Sequence, residues 1–380
     1  MFELSRMVQS IQGSERSQRK IEIPEGASRL DMGEPDFPTP LHIQEAACKA
    51  MRDNYTHYIN AFGDLEMREA VVQRLYEDHG ARRPVEDVLV TAGGIEAIHL
   101  LNAAFLDRGD EVILMDPEYS AYADSVNLFG GVPVPVRRTV DLRPDLEAVA
   151  AAVTPRTKSL IISNPGNPTG IVLTEEEVRR LAEIALENDL ILAVDEVYGK
   201  LIYGGQKHFS ICQIAEVRDR AVILQSLSKT YAMTGWRVGY MVADSPVIKK
   251  LVKLHKALTV CVNTPSQKAA AAALSGPQDC VAKMLAEYNQ RRILVESALA
   301  EMDRMEVIPC QGAFYSYPRF GHDITSLDMT SYLAEQKVLV RSGTEFGAGG
   351  QGHIRLAFTK SHDALEEGLR RLSEALARLD

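Results

Sequence analysis

The stretch Leu190-Ile191-Leu192-Ala193-Val194-Asp195-Glu196-Val197-Tyr198 decides how the chain is read. An unbroken apolar run closed by a carboxylate has no inward–outward alternation. It therefore reads as a strand covered on both faces, as in a parallel sheet with helices on either side. The same kind of unit recurs outward from it. Upstream, Thr174-Glu175-Glu176-Glu177 has capping-box spacing and opens a helix with Val178, Leu181, Ile184 and Ala185 on one face. Residues 88–91, 111–115, 132–136 and 158–163 read as further strands, and a helix from about 96 to 106 follows Ala92-Gly93-Gly94-Ile95. Downstream, 221–224 is a short buried strand. Repeated strand–loop–helix units predict an α/β fold, a mainly parallel sheet flanked by helices. Ligands of such sheets lie at the carboxyl ends of the strands. That rule brings Gly93, Gly94, Tyr119, Asn167, Asp195 and Lys229 to one edge.

The ends of the chain have a different texture. Residues 1–30 read as a polar surface arm, most heavily charged over 14–20. The prolines of 33–40 mark a loop, 41–54 has helical spacing, and Asp64 caps a helix with Val71, Val72 and Leu75 inward. Beyond Tyr240, residues 280–305 read as one long helix leading into a second lobe. There, short strands near 313–317, 338–341 and 353–358 surround a helix near 327–336, and Leu365, Leu369, Leu372, Leu376 and Leu379 stripe a closing helix. The expected division is a large domain over 40–278 and a smaller α+β domain built from 1–39 and 279–380.

A chain of 380 residues exceeds one compact core, in keeping with two lobes. Its net charge of −10 argues against a nucleic-acid partner, which demands clustered cations. The 5 cysteines are dispersed, without a Cys-x-x-Cys pair, as in a reducing compartment. Residues 1–7 lack the apolar core of a signal peptide, and no apolar run reaches the length of a membrane span. We therefore expect a soluble, cytoplasmic protein without a membrane partner.

The chemistry gathers on Ser226-Leu-Ser228-Lys229-Thr-Tyr-Ala-Met-Thr-Gly-Trp-Arg237-Val-Gly-Tyr240. An amine that attacks a carbonyl must be partly desolvated or set near other cations, while hydroxyls and an arginine can hold a phosphate. Those are the requirements of a pyridoxal phosphate site. Asp195 at a strand end needs a cationic or hydrogen-bonding partner, and a protonated pyridine nitrogen would be one. Tyr198 and Asn167, the latter in the stiff turn Asn164-Pro-Gly-Asn167-Pro-Thr-Gly170, could share the ring oxygen. Gly93 and Gly94 precede a helix and can offer backbone amides to an anion, joined by Ser226, Ser228 and Arg237. Tyr119 could stack on a planar ring. Arg355 interrupts an apolar strand, where it either snorkels to the surface or clamps a carboxylate.

Six segments, in order, resemble the fold-type I, pyridoxal phosphate-dependent class I aminotransferases, the aspartate aminotransferase-like family. They are Gly-Glu-Pro-Asp-Phe-Pro-Thr-Pro (33–40), Thr-Ala-Gly-Gly (91–94), Asn-Pro-Gly-Asn-Pro-Thr-Gly (164–170), Asp-Glu-Val-Tyr (195–198), Ser-Leu-Ser-Lys (226–229) with Gly-Trp-Arg-Val-Gly-Tyr (235–240), and His-Ile-Arg-Leu (353–356). The resemblance implies that Lys229 forms the internal aldimine and moves the proton between Cα and C4′. It implies that Asp195 pairs with the pyridine nitrogen, that Asn167 and Tyr198 bond the ring oxygen, and that Tyr119 stacks on the ring. Gly94, Ile95, Ser226 and Arg237 match the phosphate cup. Arg355, with Gly33 and Asn167 nearby, matches the substrate carboxylate site. Tyr58 matches a tyrosine reaching the active site of a neighbouring subunit, which implies a homodimer. The activity implied is transamination between an L-amino acid and a 2-oxo acid, with 2-oxoglutarate as acceptor. A carbon–sulfur lyase or aminocyclopropane-carboxylate-synthase-like lyase on the same scaffold, and a non-enzymatic regulator, are the alternatives. No position in the sequence marks a cation for a distal carboxylate.

Overall fold

A computed structural model describes residues 23–379, so the charged arm at 14–20 lies outside the described residues. A 7-stranded sheet runs in the order Val88–Thr91, Gly239–Val242, Ala221–Ser226, Ile191–Asp195, Thr157–Ser163, Glu111–Asp116, Val132–Arg137. All neighbouring pairs are parallel except those of Gly239–Val242, which runs against both of its partners. The predicted α/β sheet is thus present, with one antiparallel insertion. Every residue of Val88–Thr91 and Glu111–Asp116 is buried, as expected of strands packed on both faces.

Local chemistry sets the helix starts. Asp64 accepts from Met67 N and opens Leu65–His79, and Thr174 with Glu177 forms the reciprocal capping box of Glu175–Glu187. Of two further helices, Ser245–Thr259 carries Ile248, Leu251 and Leu258 at helical spacing, whereas Thr264–Ser275 lacks large apolar spacing. The second buries Ala269, Ala270, Ala271 and Ala273, so its inward stripe is made of small residues. The predicted helix over 280–305 runs from Asp279 to Ala300 and stops short. Arg304 takes φ 56°, outside the helical basin, and Met305–Glu306 pairs as a strand with Arg319–Phe320.

Two main cores lie beneath the sheet faces, around residues such as Ile162, Val194 and Ile223 on one side and Leu101, Leu114 and Met241 on the other. A third joins Leu30 to the C-terminal segments through Tyr288, Phe314, Leu333 and Leu372. Here Tyr315–Ser316 and Arg341–Ser342 flank Ile354–Ala357 in an antiparallel sheet. Among the described residues no helix is long and apolar enough to cross a membrane.

Candidate active site

A cavity of ≈ 340 Å³ opens at the carboxyl ends of the parallel strands. Gly33, Gly94, Ile95, Tyr119, Asn167, Asp195, Tyr198, Ser226, Ser228, Lys229, Arg237 and Arg355 all line it. Residues from both ends of the chain therefore converge on the sheet edge.

Lys229 sits on the short helix Leu227–Thr230, capped by Ser226, whose side chain accepts from Ser228 N. Its Nζ donates to the Gly33 carbonyl at 2.7 Å. Burial, with the Arg355 and Arg237 charges, outweighs the opposing Glu34 and Asp195 carboxylates and lowers the amine from its ordinary 10.5 to about 8. Near neutral pH part of this amine is free base and nucleophilic.

Asp195, the last residue of its strand, accepts from Tyr122 Oη at 2.8 Å and from Val197 N at 3.1 Å. Burial pushes its carboxyl up, and these two donors together with the Lys229 charge pull it back. Tyr198 meets the Tyr315 hydroxyl at 2.8 Å. The Tyr119 ring stands edge-on to Tyr122, with centroids 5.5 Å apart.

The anion end is built around Gly93, which takes φ 80° and ψ 175° as N-cap of the helix Gly94–Phe105. Gly93 lies just behind the cavity wall, and a Cβ there would fall 2.7 Å from Arg237 Nη2. Ser226 Oγ donates to Ser228 Oγ at 2.9 Å, so both hydroxyls face the same region.

Arg355 does not snorkel: it is 6% exposed. Nη1 donates to Asn167 Oδ1 at 2.9 Å and Nη2 to the Asp31 carbonyl at 3.0 Å. The guanidinium carbon lies 4.2 Å from the Tyr315 ring centre and 4.8 Å from that of Phe346. Its Nε is buried with no acceptor among the described residues, a donor left for a ligand.

Tyr58 stands apart. It is 84% exposed and does not line the cavity. Conversely, Tyr122, Tyr315, Arg341, Glu345 and Phe346 line the site without having been marked by the sequence. Tyr122 lies one helical turn past Tyr119, a spacing that could have pointed to it; the others lie on short segments of the second lobe without a motif.

The residues fit pyridoxal phosphate: a depressed amine, a buried carboxylate for the ring nitrogen, and a glycine turn beside an arginine and two hydroxyls for the phosphate. The family model "Aminotransferase class I and II" matches residues 27–372. The chain is 38% identical over 354 residues to an aspartate aminotransferase of Pyrococcus abyssi, covering 91% of each protein. It is 37% identical over 359 residues to aromatic-amino-acid aminotransferase 2 of Thermococcus litoralis, covering 93% of this chain and 92% of that protein. The crystal structure of an aromatic aminotransferase from Pyrococcus horikoshii superposes with a TM-score of 0.90 at 36% identity, over 95% of this chain and 98% of that one.

Proposed function

From the premise that the chain belongs to the class I and II aminotransferases and uses pyridoxal phosphate, we propose that it passes the amino group of an L-amino acid to 2-oxoglutarate. The observation that carries this is the convergence of Lys229, Asp195 and Arg355 on one cavity from three separate parts of the chain. The cofactor, when bound, supplies an electron sink next to the substrate Cα and a carrier for the amino group.

The chain's residues do the rest. Lys229 would hold the cofactor through Nζ, and its amine is placed to take the proton from the substrate Cα as a base and return it as an acid. Its pKa of about 8 suits both directions. Asp195, oriented by Tyr122, would hold a proton at the pyridine nitrogen. Asn167 and Tyr198 would bond the ring oxygen, Tyr119 would cover the ring face, and Gly94, Ile95, Ser226, Ser228 and Arg237 would hold the phosphate, with Gly93 leaving room for Arg237. Arg355 grips the substrate α-carboxylate beside Gly33, which fixes the Cα–H for transfer.

Tyr58, exposed in one chain, reaches the phosphate of a second copy in the homodimer this reading requires. A division into a large domain over 40–278 and a small one from 1–39 and 279–380 is supported by a C-terminal core around Phe314, Leu333 and Leu372, to which Tyr198, Leu201, Tyr203 and Ala232 of the larger part also contribute. Five free cysteines support a reducing cytoplasm. The deciding experiment is a panel of amino donors against several 2-oxo acids. Conversion of donor to its 2-oxo acid with matching amination of the acceptor is the expected result. Release of ammonia and pyruvate without acceptor would instead indicate a lyase.

A further inference from the structure

The cavity holds a second arginine. Arg341 and Arg355 stand directly opposite each other on the antiparallel strands Arg341–Ser342 and Ile354–Ala357. Directly paired residues share one face of a sheet, with Cβ atoms roughly 5 Å apart, and like charges so placed repel. Both side chains line the same cavity. A pairing of this kind calls for anions. Among the described residues Arg355 is met only by neutral oxygens, those of Asn167 and the Asp31 backbone. Arg341 is met, among the same residues, by the carboxylate of Glu345, which accepts from Nη1 at 2.7 Å.

The two contacts differ in how firmly they are held. Arg355 is sandwiched between Tyr315 and Phe346 and is almost fully buried. The side chains of Arg341 and Glu345 keep 24% and 13% exposure, so water can reach their pair. A partly hydrated ion pair contributes little and is exchanged at small cost. Arginine's planar fork receives a free carboxylate as readily as that of Glu345.

We propose that Arg341 receives the second carboxylate of a dicarboxylic substrate, which displaces Glu345, while Arg355 keeps the first. The proposal rests on the transamination reading above and supplies the cation that no sequence motif marks. Glu345 acts as an internal competitor. With an uncharged substrate side chain it stays on Arg341, and the wall presents a neutral pair; with an acidic side chain it gives way.

The test is calorimetric binding of two non-reacting acids, succinate and 3-phenylpropionate, to the cofactor-loaded enzyme. Arg341→Met should weaken succinate relative to 3-phenylpropionate by ~10–100-fold. Glu345→Gln, which removes the competitor, should tighten succinate about 2–5-fold on the same scale. An unchanged ratio in Arg341→Met, or equal loss for both acids, overturns the inference. Should that variant not fold, unchanged or weaker succinate binding in Glu345→Gln overturns it. Failure of the transamination reading looks different: wild type then aminates no 2-oxo acid with any donor, whatever the two variants do to succinate.

Discussion

Lys229 Nζ donates a hydrogen bond to the Gly33 carbonyl at 2.7 Å, tying the lysine's helix to a loop 196 residues away in sequence. The same loop is latched elsewhere along the lysine stretch. Thr234 Oγ1 donates to Glu34 at 2.6 Å, Trp236 Nε1 to Thr39 Oγ1 at 2.9 Å, and Thr39 Oγ1 to the Ala232 carbonyl at 2.7 Å. The loop thereby helps enclose the amine, and enclosure is what lowers its pKa.

Uptake of pyridoxal phosphate by the cofactor-free enzyme should follow that pKa. Because burial lowers the Lys229 amine to about 8, the neutral form grows as pH rises and levels off above that value. The capture rate should climb about tenfold from pH 6 to pH 7 and flatten past 8. Stopped-flow absorbance checks this, with Lys229→Ala showing neither the absorbance change nor turnover. A rate still rising steeply above pH 9 would place the amine at its ordinary value.

Tyr122→Phe removes a buried donor from Asp195 Oδ2. The folded protein should lose about 1–3 kcal/mol, the cost of leaving a buried acceptor short of a partner. Urea unfolding of the cofactor-free variant measures it. No change in midpoint would mean that the hydroxyl contributes nothing to holding the carboxylate.

Gly93→Ala should loosen the cofactor. The φ 80°, ψ 175° conformation is a glycine-only region, worth about 1–3 kcal/mol of strain for any other residue. The new Cβ would also crowd Arg237 Nη2. Equilibrium dialysis should show weaker cofactor retention, and retention equal to wild type would remove Arg237 and this turn from the phosphate site.

Arg355→Lys keeps the charge but loses the fork that reaches Asn167, Asp31 and a ligand together. KM should rise ~10–100-fold for every amino donor, whatever its side chain. A rise confined to acidic donors would instead assign the distal carboxylate to Arg355.

Much of this site was legible in the linear chain because its parts are local. Asp195 is the last residue of a buried strand and stands where its apolar run stops, whereas Ser226 ends a strand that runs two residues past its apolar run at 221–224. Gly93 and Gly94 announce a turn into a helix by their lack of side chains. Asp64 and Thr174 announce helix starts by competing for backbone amides. The helix Thr264–Ser275 was less legible: a stripe of alanine buries as well as leucine against a close neighbour but carries little hydrophobic contrast.

By itself, then, the sequence determined the parallel sheet, the strand-end placement of Lys229 and Asp195, and the family. Each depends on residues close together in the chain, whose propensities and caps act without knowledge of the rest. Only the tertiary structure decided that Arg355 turns inward, that Tyr122 partners Asp195, and that Arg341 faces Arg355 across a strand pair. Those are choices of register and packing between distant segments, and a one-residue slip in a strand would send either arginine to the opposite face.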